Sequence, residues 1–318
     1  MINTYFESFK DLTFNYFLHF SALYSLWTNK ENILSLFIIP FISLTTIRIF
    51  IVFHDCGHGS YIPNKKLNYI IGTFNGILCL TPFCWTYDHK NHHLTSGHKN
   101  NKLDYLFNET IPFTLKQYED MNFINKKLYR IVRDPFIFFT ILPIIKFLFI
   151  NRIFTLLYIC NGYHYNKTVK TIIYDTIINN IGIGSLFYFM YQYDILFHYL
   201  LSCIISSSLG LILFHNQHTF NPSYVSENDW NFRDSGLKGS SFIKIPNSLE
   251  YFTMGIEYHH IHHINMMISG LKLKEYHNKN IEKFKNIHIL TLEDCYKNLS
   301  LTLYDEEKSK YISFNDIQ

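Results

Sequence analysis

The chain has 318 residues, 48% of them hydrophobic and 18% aromatic, which is too apolar for an ordinary soluble enzyme and makes a membrane protein the first expectation. Its net charge of +3 comes from interleaved acidic and basic residues with no Lys/Arg block, so nucleic acid is excluded as an expected partner. Six cysteines (Cys56, Cys79, Cys84, Cys160, Cys203, Cys295) form no C-x-x-C pair, which argues against both a thiolate metal site and a disulfide framework.

The first dozen residues carry Glu7 and Asp11 and no basic segment before an apolar run, so they do not read as a cleaved signal peptide. Residues 12–29 and 32–53 are apolar stretches of about bilayer-spanning length and predict a helical hairpin. Arg48 sits near one end of the second, where snorkelling to the headgroups is expected. His54 and His58 follow directly. Residues 67–87 are charge-free but interrupted by Asn68, Gly72, Asn75, Gly76 and Pro82, and they lead into His89, His92 and His93. Residues 135–150 are short, with Pro143 and Lys146 inside.

A second hairpin is predicted at 176–193 and 195–214, followed by His215 and His218. His259, His260, His262 and His263 come next, and residues 271–318 are polar and Lys-rich. If the four histidine clusters meet at one site, an even number of crossings separates each from the next. Residues 67–87 and 135–150 then lie at the interface or beside the site, although 67–87 is long enough to be a span in its own right. The expected architecture is all-α: four transmembrane helices in two hairpins, interfacial helices, and a cytosolic cap. Residues 1–270 form the membrane domain with its histidine cap, and 271–318 extend the cap. Ten Lys and Arg between His54 and Asp134, among them Lys99 and Lys102, against only Lys30 on the opposite turns, put the histidine face in the cytoplasm.

Eleven of the seventeen histidines lie in these clusters. Residues three and four apart share a helix face, so each cluster can aim two or three imidazoles at one point. Neutral imidazole suits iron, copper, nickel or zinc, and nine or more ligands are too many for one ion, so two metals are implied, most economically iron. A ferritin-like site would need Glu-x-x-His twice, and Glu257 to His260 is the single instance; the zincin pattern His-Glu-x-x-His is absent. A metal transporter would hold its histidines inside the spans, and it stays as the remote alternative. His19, His164 and His198 read as packing residues. Asp55, Asp88 and Glu257, each within two residues of an expected ligand, are expected acceptors for imidazole N–H groups. His260 faces away if its three neighbours are ligands.

H-D-C-G-H-G-S at His54 to Ser60, W-x-x-x-H-x-x-H-H at Trp85 to His93, Gln217-His218, and G-I-E-Y-H-H-I-H-H at Gly255 to His263 resemble the histidine boxes of the membrane fatty acid desaturase family. Residues 239–246 and the ending Leu303-Tyr-Asp-Glu306 are similar to its acyl-lipid branch. The resemblance, which runs from about residue 30 to the end, implies a mushroom-like helical enzyme with four spans. It implies two irons held by His54, His58, His89, His92, His93, His218, His259, His262 and His263, with His215 as a possible further ligand, and O2 as co-substrate. The implied reaction is insertion of a cis double bond into an acyl chain, of the Δ12 or ω6 type on lipid-linked oleate, with an acyl-chain hydroxylase or another oxygenase of the superfamily as alternative. A His-Pro-Gly-Gly heme motif is absent, so a separate cytochrome b5 or ferredoxin is the expected electron donor. The expected location is the endoplasmic reticulum in a eukaryote or the inner membrane in a bacterium.

Overall fold

The computed structural model describes residues 3–98, 112–152, 169–226 and 229–317. Lys99, Lys102, Cys160 and His164 lie outside the described residues. The chain is mostly helical. Helix α1 (Tyr5–Asn29) starts at a reciprocal cap in which Thr4 and Glu7 bond each other's backbone N–H, so its first-turn donors are satisfied before the apolar run begins. It packs antiparallel on α2 (Ser35–His58), which ends where Gly59 takes the left-handed conformation at φ 76°. The second pair is α8 (Val169–Gln192) and α9 (Leu196–His218). Among the described residues, α2 and α9 are the two helices long and apolar enough to cross a membrane. They lie side by side with their histidine-bearing C-terminal ends together.

Between the pairs, the apolar segment 67–87 is not one helix. Helix α3 (Lys65–Leu78) has 14 residues, about 21 Å, and ends two residues before Leu80, whose φ of 57° turns the chain. The chain then folds back so closely that a side chain at Gly72 would run into the ring of Phe83. Helix α4 (Trp85–Thr95) follows; α5 (Leu115–Glu119), α6 (Phe123–Val132) and α7 (Ile137–Ile150) complete this layer.

The rest forms the cap: α10 (Phe232–Lys238), α11 (Asn247–Thr253), α12 (His259–Ile264), α13 (Gly270–Lys279) and α14 (Leu292–Asn298). The cap departs from the all-α expectation through four three-residue strands. β1 (Ser241–Ile243) pairs in parallel with β2 (His288–Leu290), and β3 (Leu303–Asp305) pairs antiparallel with β4 (Lys310–Ile312). Three residues are too few for a period-two pattern to register in a sequence.

Arg48 also differs from expectation. It does not snorkel: it is 3% exposed, ion-paired with Asp11 of α1, bonded to the Tyr251 carbonyl, and its Cζ lies 4.0 Å from the centre of the Tyr251 ring. Tyr61 Oη donates to the other Asp11 oxygen at 2.8 Å. The cap helix α11 thus closes over a charge that a lone span would have had to send to the headgroups. The five cysteines among the described residues are buried and free.

Candidate metal centre

Four elements bring nine imidazoles together, and they form two groups. His54, His58, His89, His93 and His262 make the first; His92, His218, His259 and His263 make the second. In each group the ring nitrogens nearest one another all lie within 4.8 Å. Each H-x-x-H-H box is therefore divided between two centres instead of pointing at one. Helix geometry explains the division. At about 100° per residue, i and i+4 stand about 40° apart while i+3 falls about 60° to the other side. His89 and His93 accordingly serve the first group and His92 the second, and α12 inverts the pattern, with His259 and His263 in the second and His262 in the first.

The approach of the helices is set by small residues and backbone bonds. A side chain at Gly57 would strike Thr86, so only glycine lets the last turn of α2 lie this close to α4. On the other side Gln217 Nε2 donates to the Ile256 carbonyl at 2.9 Å, Ser241 Oγ to the Asn216 carbonyl at 2.9 Å, and Ile243 N to the Glu257 carbonyl at 3.1 Å. The strand β1 thus ties the end of α9 to the start of α12, and Met254 and Gly255, both at positive φ, turn the chain into that helix.

The nitrogen spacings match a coordination shell. His54 Nε2 is 2.7 Å from His89 Nε2; His93 Nε2 is 2.9 Å from His89 Nε2 and 3.0 Å from His262 Nε2. In the second group His218 Nε2 is 3.1 Å from His92 Nε2 and 2.9 Å from His259 Nε2. Nitrogens about 2.1 Å from a shared divalent transition metal and at right angles to one another stand about 3 Å apart. Both ring nitrogens of His58 and Nε2 of His263 are buried with no hydrogen-bond partner in the protein, and a metal bond would remove that cost at one nitrogen of each ring. Burial, followed by the neighbouring imidazoles, holds His93, His262 and His263 well below the usual histidine pKa. Burial does the same to His89 and His259. The rings are neutral, the form that ligates metal. The residues fit two metal ions.

The surrounding groups are sorted by the same contacts. Asp55 Oδ1 lies 3.2 Å from His54 Nδ1, and Asp55 Oδ2 accepts from Ser269 Oγ at 2.9 Å and Gly270 N at 2.7 Å. His218 Nδ1 is 3.2 Å from the Gly239 carbonyl. Both contacts leave Nε2 of their ring directed into its group. Asp88 is exposed on α4. Glu257 is 2% exposed and burial raises its carboxyl pKa, but no hydrogen bond joins that carboxyl to any of the nine imidazoles. His215 belongs to neither group: its Nε2 is 3.0 Å from the Asn298 carbonyl and its ring packs on Phe139, because the position three residues before His218 faces α7 and α14. His260 is turned into the cap, 3.3 Å from His277, as expected of a bystander, and His19 is a packing residue bonded to Thr45.

Two contributors escaped the sequence reading. The Gly239 carbonyl carries no side-chain signal, and Trp85, though part of the motif, stacks flat on His89 with ring centres 5.0 Å apart.

Against both groups lies a cavity of about 380 Å3 whose lining is largely apolar. His54, His89 and His259 form its wall at one end. It follows one face of α9 through Phe214, Gly210, Ser207 and Cys203; from Gln217 to Cys203 that face spans about 21 Å.

Residues 32–292 match the family model for fatty acid desaturases. The chain is 33% identical over 273 residues to a fatty acid desaturase of Bacillus subtilis (strain 168), an alignment covering 85% of this chain and 75% of that protein. Shorter stretches match the sn-2 acyl-lipid omega-3 desaturase (ferredoxin), chloroplastic, of Helianthus annuus, at 33% over 81 residues, 25% of this chain and 17% of that one. The sn-1 acyl-lipid omega-3 desaturase (ferredoxin) of Nostoc sp. (strain 36) is 35% identical over 79 residues, 24% of this chain and 21% of its own. With its histidines gathered into two metal-binding groups beside an apolar cavity, the chain belongs to the fatty acid desaturase family and is an oxidoreductase.

Proposed function

We propose that this protein is a membrane-bound, oxygen-dependent desaturase that inserts a cis double bond into an acyl chain lying in the cavity. The observation that carries the reading is the contact of both histidine groups with one end of a long apolar cavity. In this reading two irons are held, one by His54, His58, His89, His93 and His262 and the other by His92, His218, His259 and His263. An unactivated methylene has no acidic proton for a side chain to remove, so the irons and O2 supply the oxidising power when bound.

The protein's own residues do the rest. The walls from Phe214 to Cys203 hold the chain extended, exclude water, and set which carbons stand beside the histidines. Asp55 and the Gly239 carbonyl keep the rings of His54 and His218 in one orientation and tautomer. Trp85 closes the outer side of His89.

The topology we propose is four spans, α1, α2, α8 and α9, with the histidine face cytoplasmic, in an endoplasmic reticulum or bacterial inner membrane. Residues 1–270 then form the membrane domain and 271–318 a cap extension. The reaction is proposed to be Δ12 or ω6 desaturation of lipid-linked oleate; the names of the Helianthus and Nostoc proteins favour ω-3 desaturation as a second reading. Ferredoxin in those names supports a separate small electron carrier, for which cytochrome b5 is the other choice.

Expression in yeast followed by fatty acid methyl ester profiling tests the reading. A new dienoic or trienoic ester with the double bond at the predicted carbon is the expected result. An unchanged profile with iron-loaded protein in the membrane would overturn it, and a hydroxylated product would assign it to the oxygenase alternative.

A further inference from the structure

The outer support of the first histidine group begins at Asn3, just before α1. Asn3 is 1% exposed, and its Nδ2 donates to the Tyr61 carbonyl and to Ser269 Oγ, both at 2.9 Å. Ser269 is fully buried, and its Oγ donates in turn to Asp55 Oδ2 at 2.9 Å, beside the Gly270 N–H at 2.7 Å. The other Asp55 oxygen lies 3.2 Å from His54 Nδ1. Three segments far apart in the chain thus form one row of polar contacts that ends on a ring of the first group.

Each link of that row has one direction. The Tyr61 carbonyl can only accept, so the amide nitrogen of Asn3 faces it and not the amide oxygen. An ionised carboxylate can only accept, so the Ser269 hydroxyl gives its hydrogen to Asp55 and takes the second Asn3 hydrogen on a lone pair. Asp55 then accepts from His54 Nδ1–H, which leaves Nε2 of that ring bare for a metal. The carboxylate also meets the start of α13, where the free N–H groups of the first turn favour a negative charge. Asn3 Oδ1 is buried with no partner, so the two donor hydrogens are what this amide contributes. Asn3 is itself held in place: Thr4 and Glu7 cap α1, Glu7 is ion-paired with Lys272 of α13, and Ser8 Oγ donates to the same Tyr61 carbonyl at 2.7 Å. The second group is steadied from elsewhere, His218 Nδ1 lying against the Gly239 carbonyl.

We propose that Asn3 is a positioning residue for the metal of the first group: through Ser269 and Asp55 it holds His54 in its ligating tautomer and orientation, and the metal of the second group does not depend on it. The role deepens the reading of the nine histidines as two metal sites and rests on that reading.

Anaerobic release of iron from the full chain in neutral detergent to excess ferrozine, followed by absorbance, reads this role without turnover. His92→Ala leaves the first group as the complete site and His262→Ala leaves the second. Asn3→Leu keeps the side-chain volume and removes both donors. It is expected to speed release from the His92→Ala chain about fivefold, the worth of one neutral hydrogen bond, and to leave release from the His262→Ala chain unchanged. Ser269→Ala is expected to speed release from the first group by itself, and Asn3→Leu to add nothing in that chain. Equal acceleration in the His92→Ala and His262→Ala chains would make Asn3 a general structural contact and overturn the proposal, as would unchanged release from the His92→Ala chain. A further fivefold from Asn3→Leu in the Ser269→Ala chain would overturn the route through Ser269 and Asp55. Two ions bound by the His92→Ala chain, or none, would overturn the two-site reading and the role of Asn3 with it.

Discussion

At the scale of single residues the site is a set of imidazoles that differ in what holds them. His92 and His262 belong to different groups although each sits in an H-x-x-H-H box. His92→Ala and His262→Ala are therefore each expected to abolish desaturation and to lower bound iron from about two ions per chain to about one, with expression retained. Elemental analysis of the purified variants checks this; two ions retained in either variant would contradict the grouping. Asp55 contacts His54 through one oxygen, and its second oxygen accepts from Ser269 and Gly270 at the start of α13. Asp55→Asn is expected to weaken metal affinity about 10- to 100-fold while the helical circular dichroism is unchanged. The clustering of the nine histidines was legible in the sequence because helical spacing is local. Their division into five and four was not, because it depends on which side of each helix meets the other. His215 shows the same limit: it shares a helix end with His218, and only the position of α14 decides that its nitrogen meets the Asn298 carbonyl.

Among the elements, α9 does two things: its last turn carries His218 and one of its faces lines the cavity. Gly210 lies on that face, and a Cβ built there meets no atom within 4 Å. Gly210→Leu is expected to fill the cavity without disturbing the fold, shortening the acyl chains accepted or moving the double bond, as read in the methyl ester profile. An unchanged profile would place the acyl chain elsewhere. The long helices were legible because apolar length is a cumulative signal, and the interruptions in 67–87 marked a break that the structure puts at Leu80. The strands β1 to β4 were not, yet β1 joins the end of α9 to the start of α12 and lies just after Gly239, whose carbonyl is 3.2 Å from His218 Nδ1.

The whole molecule is held together across its layers by a few buried polar ties. Arg48 links α2 to Asp11 of α1 and to Tyr251 of the cap, and Asn3 donates to the Tyr61 carbonyl and to Ser269 Oγ, both at 2.9 Å. Asp11→Ala leaves the Arg48 charge buried without its counter-ion and is expected to cost about 3–5 kcal/mol. A fall in the thermal inactivation midpoint of the detergent-solubilised enzyme measures it; an unchanged midpoint would show that the pair contributes nothing. By itself the sequence determined the apolar helical hairpins and the histidine clusters, which follow from composition and from spacing along single helices, and its motifs carried the resemblance to the family. The tertiary structure decided how each box is shared between two groups, that Arg48 is enclosed and not snorkelling, and that an apolar cavity lies against both groups. Those features arise from contacts between segments far apart in the chain, and a local pattern carries no record of which distant surface a side chain will face.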